Sequence, residues 1–558
     1  MRIIKSVMVV IGVLCALSFS SRQAAAITWS MDTVIDGQYS SIVMDGSGSL
    51  HLAYYDFRAG SLKYAVKSGG TWSTQVVDGP GYRGMYPSLV LDASGNPHIS
   101  YYDYWNGDMK YASLVGTAWQ ITTVDSVGNV GMFSSLALDS SGNPHISYYD
   151  YGNGKLKYAS MVSGNWSVEV VDSDSDVGQY SSIALDPSGK PVISYYDYTK
   201  GDLKCADWDG TQWHRVVIDS DGNVGQFTSL AIDASGTRQI SYYKTTSLAY
   251  AGYKNGSWAT EVVDSSTGAG YGTAMSVGDG GVVHIAYYVF GTHDLKYAAR
   301  IGGLWTTSTV DAAGDVGQNP AICLDTAGAP LISCFDATNL CVKIASVQYT
   351  DDISAARKPD TDIVSVGGQV VTAAYDGYFY IEAPDRSAGI RVDRPAHGLS
   401  AGQTVNVAGK PLTNGDGERY IAAVAVGKTG LGSVGPFGMS NKSVGGTDLL
   451  SDGKIVQCGV LDGSGPNNIG RLIKVWGKIT QKDPSGSYVY IDDGSGLLDG
   501  SYTGSAKNTG VRVAMDGNGY KEGDFLAITG VSSCFRNKTT GEVCRLVRVS
   551  SVSEIPAE

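Results

Sequence analysis

The chain is predicted to be all-β, with a β-propeller as its larger part, and two observations predict it. The first is a repeat. The segment Ser134-Ser-Leu-Ala-Leu-Asp-Ser-Ser-Gly-Asn-Pro-His-Ile-Ser-Tyr-Tyr-Asp150 occurs in seven variants, with anchor aspartates Asp45, Asp92, Asp139, Asp186, Asp233, Asp279 and Asp325 at steps of 46 or 47 residues. The second is the content of each unit: four short strand-like runs separated by Gly and Asn turns, which at a period in the forties is the make-up of a propeller blade.

Each element of a unit has its own signal. Ser135-Leu-Ala-Leu-Asp139 reads as the innermost strand, followed by a Ser-Gly-Asn turn. His145-Ile-Ser-Tyr-Tyr149 is the second strand, Leu156-Lys-Tyr-Ala159 the third, and Trp166 to Val171 the fourth. The tryptophan recurs as Trp29, Trp72, Trp119, Trp166, Trp213, Trp258 and Trp305. Trp29 precedes the first repeat, whereas the seventh ends at Gln348 without its tryptophan strand. The segment Thr28 to Ile35 is therefore expected to supply the outermost strand of the last blade, removing two exposed sheet edges. The reading is a seven-bladed propeller over 27–349.

The 73 glycines, 35 tyrosines and 17% charged residues among 558 suit a turn-rich β protein, and the formal charge of −13 argues against nucleic acid or an anionic membrane as partner. Residues 1–26 read as a secretory signal: Arg2 and Lys5, an apolar run from Ser6 to Leu17, and cleavage near Ala24-Ala25-Ala26. No later segment is long and apolar enough to span a bilayer, so the expectation is a secreted, extracellular protein. Export permits disulfides, and Cys334–Cys341 and Cys534–Cys544, each flanking a hairpin turn, are the expected pairs.

After Tyr349 the repeat stops. Gly367-Gln-Val-Val, Tyr378-Phe-Tyr-Ile-Glu382, Gly389-Ile-Arg-Val392 and the run Gly402 to Gly409 form one unit. Gly477-Lys-Ile-Thr, Tyr488-Val-Tyr-Ile-Asp492, Gly510-Val-Arg-Val513 and Gly523 to Gly530 form a second. Their order and spacing resemble two tandem OB-fold barrels (350–430 and 471–558), similar to modules of many secreted bacterial proteins, with 431–470 as a Gly-rich linker or loop. OB folds bind oligonucleotides or oligosaccharides, and Tyr378, Phe379, Tyr380, Tyr488 and Tyr490 are placed for stacking. With no basic stripe from 350 onward, accessory docking modules are the better reading. In the propeller, turns such as Ser68-Gly-Gly-Thr-Trp72 and Ser163-Gly-Asn-Trp166 resemble degenerate Asp-box (BNR-type) turns of sialidase-like propellers. That resemblance implies a fold and not an activity.

The conspicuous residues repeat. Asp56/Lys63, Asp103/Lys110, Asp150/Lys157, Asp197/Lys204 and Asp336/Lys343 are each seven apart and are expected to pair across a hairpin as exposed scaffold contacts, with Lys244 and Ala249 replacing both partners in repeat five. His51, His98, His145 and His284 share one position, which fits packing better than catalysis, since a general base is needed once per site. Glu169 and Glu261 also share a position. Ligand-contact candidates lie on the face carrying the loops that lead into the first and third strands of each repeat. Tyr86, Phe133, Tyr180 and Phe227 recur where the innermost strand begins, and Tyr104 follows a second strand. Arg58, Arg83 and Trp105 break the repeat. Aromatic faces beside carboxylates suit sugar rings, with inter-blade packing as the competing role. Asp172, Asp174 and Asp176 alternate as in half a calcium loop, although the distal glutamate is missing; Ca2+ is the one cofactor this suggests.

The functional expectation is a secreted, non-enzymatic binding protein whose propeller face recognises a glycan or another extracellular ligand such as a protein. The alternatives are a carbohydrate-active hydrolase or polysaccharide lyase with the propeller as catalytic domain, and a structural surface protein. An enzyme should carry one asymmetric cluster of unrepeated residues at the channel mouth.

Overall fold

The computed structural model describes residues 27–358, 363–451, 453–503 and 506–555; residues 1–26, expected from the sequence to be a secretory signal, lie outside them. Among the described residues there are seven four-stranded antiparallel sheets, arranged as a β-propeller. The innermost strands are Gln38–Met44, Arg83–Leu91, Val130–Leu138, Val177–Leu185, Val224–Ile232, Ala269–Val277 and Val316–Leu324, each packed on the next and the last on the first. Thr28–Asp36 pairs antiparallel with Cys341–Gln348, Trp29 opposite Val347.

The sequence pattern of each repeat follows from its place in this arrangement. The second strand, such as Pro144–Asp150, is buried along nearly its whole length because neighbouring sheets cover both of its faces. The fourth, such as Asn165–Asp172, is largely exposed and polar. The anchor aspartate closes the turn between the first two strands: Asp139 Oδ1 accepts the N–H groups of Ser141 and Asn143, both at 2.8 Å. Repeat six departs from this pattern. Gly278, not Asp279, follows its first strand, and Asp279–Gly281 forms a short 3-10 turn.

The Asp–Lys expectation needs correction. The lysine of the third strand reaches mainly the aspartate ending the fourth strand of the preceding repeat. Lys110 Nζ lies 3.0 Å from Asp78 and 3.7 Å from Asp103. Lys204 lies 2.5 Å from Asp172 and 3.8 Å from Asp197. Pairing within the repeat dominates only for Lys63–Asp56 (2.6 Å) and Lys343–Asp336 (2.7 Å). The first tyrosine of the Tyr-Tyr pair joins the junction, with Tyr101 donating to Asp78 and Tyr195 to Asp172. These contacts are buried or nearly so, because a residue at the seam between sheets is covered by both. In repeat five Lys244, standing where other repeats carry aspartate, reaches Asp219 at 2.9 Å. The ammonium is thus relocated, not lost. At the junction made by Thr28–Asp36 the register places Ile35 where the other sheets have this aspartate, and Tyr54 has no carboxylate partner there.

This chemistry makes stability pH-dependent. Their charged and polar partners hold Asp78, Asp125, Asp172, Asp219 and Asp336 below the usual carboxylate range against the opposing effect of burial, and bring Asp264 to about 2. A depressed folded-state pKa stabilises the protein above the unfolded value, and that contribution is lost as pH falls through the folded one. Burial likewise depresses His98 and His145, and takes His284 to about 3. Protonation of the unfolded chain therefore begins to cost stability below about pH 6.5. The melting temperature should be highest near neutrality, decline gently below about pH 6.5, and fall steeply below about pH 4. A scan from pH 8 to 2 checks this, and a flat profile down to pH 3 would contradict it.

Two barrels follow. In the first, Val364–Tyr375, Tyr378–Glu382, Gly389–Asp393, Arg419–Leu431 and Gln403–Thr413 pair in that order and close on Val364–Tyr375, with Gly389–Asp393 parallel to Arg419–Leu431. Leu472–Lys482, Tyr488–Asp492, Val511–Ala514, Val543–Glu554 and Phe525–Arg536 repeat the same order. The first barrel docks on the propeller: Ile363, Ala408 and Val424 share a core with Val310 and Ile332. Residues 431–470 are not a free linker, since Val444 packs in the core of the second barrel and Asn441 Nδ2 donates to Ile491 O at 2.8 Å. The expected disulfides are absent, with Cys334, Cys341, Cys534 and Cys544 all free thiols. Register is the reason. Cys534 faces Arg545 while Cys544 faces Phe535, a one-residue offset that puts the two side chains on opposite faces of the sheet. Cys334 faces Lys343, two residues from Cys341.

Candidate functional site

The innermost strands begin at the mouth of the central channel, where one position of each repeat meets its equivalents: Tyr39, Tyr86, Phe133, Tyr180, Phe227, Gly272 and Asn319. The five aromatic residues stack in sequence, with centroid separations of 4.7, 4.8, 4.5 and 4.4 Å from Tyr39 to Phe227. All five have left-handed backbone, with φ between +51° and +55°, a conformation that costs a non-glycine residue about 1–3 kcal/mol. The following repeat holds four of them in place through a hydroxyl, Tyr39 being followed there by Pro87. Ser134 Oγ donates to Tyr86 O (3.1 Å), Ser181 to Phe133 O (3.1 Å), Thr228 to Tyr180 O (2.9 Å) and Thr273 to Phe227 O (3.0 Å). Burial lifts the Tyr180 phenol to about 12. Packing and site lining, posed as alternatives by the sequence, are both served by these residues.

Gly272 and Asn319 interrupt the aromatic ring at repeats six and seven. The cavity at the mouth, about 240 Å3, is lined by all seven repeats. Beside the interruption, His293 joins a tyrosine–acceptor pair of a kind that other repeats also carry, as in Tyr149 and Asp176. Tyr288 Oη donates to Asp315 Oδ1 (2.7 Å) and lies 2.7 Å from His293 Nδ1. Gln318 Nε2 donates to both oxygens of Asp315, at 3.1 and 3.0 Å. Because Tyr288 gives its only proton to Asp315, its oxygen accepts from Nδ1–H of His293. That leaves the lone pair on Nε2. Burial and Asp315 push the Tyr288 phenol above its usual range. His293 is half exposed and adjoins Phe290, which meets Tyr271, which meets Phe227 of the ring.

His293 occupies the position of Gly60, Gly107, Gly154 and Gly201, all with positive φ, and itself has φ +62°. Its backbone keeps the contacts of those glycines: His293 N donates to Val289 O, as Gly107 N does to Asp103 O. The sequence reading missed His293 because it is not one of the aligned histidines. The available signal was a histidine standing where four repeats have glycine.

The predicted residues divide into four groups. Tyr86, Phe133, Tyr180 and Phe227 lie together in the ring. Tyr104 and Trp105 lie on the same face at the junction of repeats one and two, where Tyr82, which sequence reasoning missed, joins them. The two arginines are committed to carboxylates: Arg58 Nη1 to Asp36 at 2.7 Å, and Arg83 to Asp78 and Asp103 at 3.0 and 3.3 Å. Asp172 accepts from Lys204, Tyr195 and Arg215, and Asp176 accepts from Tyr149, whereas Asp174 is exposed. Among the described residues no three acidic, histidine or cysteine side chains converge as a metal site. Glu169 accepts from Trp213 Nε1 of the next repeat at 3.1 Å, and Glu261 pairs with Arg300 at 3.0 Å.

The recurrent histidines lie on the opposite face and serve the scaffold. His145 Nδ1 meets Tyr158 Oη at 2.5 Å, and Tyr158 stands edge-on to Trp213. Repeat five replaces this histidine with Gln239, which accepts from Tyr250 at 2.9 Å. His145→Gln should accordingly cost under about 1 kcal/mol of stability, as checked by denaturant melts.

No family model matches the chain, and no curated protein matches it. Similar solved structures include a PL25 ulvan lyase bound to -[GlcA(1-4)Rha3S]- (12% identity, TM-score 0.43, 58% of this chain and 96% of that one). They also include the polysaccharide lyase Uly1 (10% identity, TM-score 0.39, 60% and 94%) and a Hadza microbial sialidase (14% identity, TM-score 0.37, 54% and 73%). The expectation of a non-enzymatic binding protein is corrected by these findings, since the similar propellers are mostly carbohydrate-active enzymes. At such identities none of them lends this chain a substrate or a mechanism.

Proposed function

We propose that the chain is an exported carbohydrate-active enzyme whose seven-bladed propeller, closed by Thr28–Asp36, cleaves polysaccharide at the channel mouth, with two OB-fold barrels as accessory modules. The observation that carries the reading is His293 on the Tyr288–Asp315 pair: the histidine is unrepeated, sits at the break in the aromatic ring, and stands on left-handed backbone that four other repeats fill with glycine. A strained, exposed, hydrogen-bonded histidine beside aromatic side chains is a proton-transfer group beside a surface for sugar rings.

The chemistry that best suits a lone histidine of this kind is β-elimination on a uronate-containing chain. His293 Nε2 removes the proton α to the uronate carboxylate. The C4–O4 glycosidic bond breaks with its electron pair on O4, and a C4=C5 double bond forms. The imidazolium then returns the proton to O4. Asp315, through Tyr288, fixes the tautomer and stabilises the imidazolium, the role an orienting carboxylate plays behind other catalytic histidines.

The test is to incubate the full chain with ulvan, polygalacturonate, hyaluronan and alginate, following the ultraviolet absorbance of the conjugated double bond and the masses of the products. Unsaturated fragments are expected. Fragments carrying an added water would assign hydrolysis, and intact polymers throughout would overturn the enzyme reading.

A further inference from the structure

Tyr82, Tyr104 and Trp105 are among the most exposed aromatic side chains of the described residues, at 50%, 59% and 73%. The rings of Tyr82 and Trp105 lie 15° from parallel with centroids 6.3 Å apart, and Tyr104 stands across Tyr82 at 62° and 6.4 Å. The cluster is held from below: Tyr104 N donates to Tyr82 O at 3.1 Å and Arg83 N to Gly60 O at 3.2 Å. The loop that presents Tyr82 carries Gly79 and Gly81 at φ +135° and +132°, backbone that only glycine adopts readily.

Comparison with the other junctions shows what this arrangement forgoes. At the position of Tyr82, four other repeats have Asn129, Asp176, Asn223 and Asp315, each accepting the hydroxyl of the preceding repeat's second tyrosine (Tyr102, Tyr149, Tyr196 and Tyr288). An aromatic residue in that place gives up an inter-sheet hydrogen bond and adds exposed apolar area. Trp105 likewise adds exposed apolar area where other repeats carry Gly152, Thr199 or Gly291. Two departures from the repeat thus meet at one junction, both against the interest of the scaffold. Exposed, contiguous aromatic surface of this kind marks a binding surface.

We infer that Tyr82, Tyr104 and Trp105 form a distal subsite that stacks on a sugar ring of the same polysaccharide chain, away from the bond being cleaved. The subsite shares its face with the channel mouth and His293, so one polymer chain lying across the mouth meets both. Arg83, the cation beside the platform, is committed to Asp78 and Asp103, so what the platform offers is an aromatic face. That selects the C–H face of a pyranose ring and not a charged group. The identity of the polymer rests on the proposed function; the existence of the subsite does not depend on turnover.

Affinity electrophoresis in gels cast with ulvan, polygalacturonate, hyaluronan or alginate tests the inference, with all variants built on a His293→Gly background to prevent cleavage. At least one of the four polymers should retard the parent. Trp105→Ala and Tyr82→Ala should each weaken that retardation about tenfold, with circular dichroism unchanged. Tyr198→Ala, which removes an equally exposed tyrosine from the corresponding loop of repeat four, should not. Retardation by none of the polymers, or equal losses in Trp105→Ala and Tyr198→Ala, would overturn the subsite and leave the platform as a protein-docking surface. Undiminished cleavage by His293→Gly would instead sink the catalytic reading, while the gels would still decide the subsite.

Discussion

His293→Gly should abolish most of the activity while leaving the propeller as stable as before or slightly more so. The two halves of this result have separate causes. Loss of a positioned general base lowers kcat by about 10²–10⁴-fold. The fold is spared because Gly60, Gly107, Gly154 and Gly201 already occupy the equivalent left-handed position, so glycine relieves strain there instead of creating it. Tyr288→Phe should fall between the two enzymes, since it keeps the imidazole but removes its link to Asp315. It should also alter the acid limb of the pH–rate profile, which a merely structural role would leave in place. Full activity in His293→Gly would dismiss the site.

Asp172→Asn should be the most destabilising single exchange at the sheet junctions, costing about 3–5 kcal/mol. Asp172 is fully buried and accepts from Lys204, Tyr195 and Arg215. Lys204 is itself only 6% exposed, so neutralising its nearer partner leaves a buried ammonium with only Asp197, 3.8 Å away, as counter-charge. Adding Lys204→Met should recover much of the loss, because an apolar side chain of similar length removes the stranded charge. Asp174→Asn, two residues away and exposed, provides the control. Equal denaturation midpoints for Asp172→Asn and Asp174→Asn would show that the junction contributes nothing.

How far the sequence reached depended on whether the physics was periodic. The four strands per repeat, the recurrent tryptophan and the pairing of Thr28–Asp36 with the last sheet were legible because a repeated unit writes its buried positions again and again. The recurrent histidines were readable as scaffold for the same reason. The partners of the lysines were not. Sequence proximity suggested the aspartate seven residues earlier, whereas packing of one sheet on the next brought in an aspartate thirty-two residues earlier, as Asp172 is to Lys204. Disulfide pairing failed on a smaller scale, since flanking a turn does not fix register, and a one-residue offset turns two thiols to opposite faces.

By itself, the sequence determined the propeller, the recurrence of an aromatic residue at the start of the innermost strands, and the principle that function lies where the repeat breaks. The tertiary structure decided which breaks belong together. Phe290, His293 and Tyr288 come from one repeat and Asp315 from the loop leading into the next, and Tyr82 and Trp105 likewise lie on two loops of neighbouring repeats. A site assembled across a junction is built by the lateral packing of sheets. Lateral packing shows in the chain only as a constant spacing, 27 residues from Tyr288 to Asp315 as from Tyr149 to Asp176, and not as which copy of the pair a histidine joins.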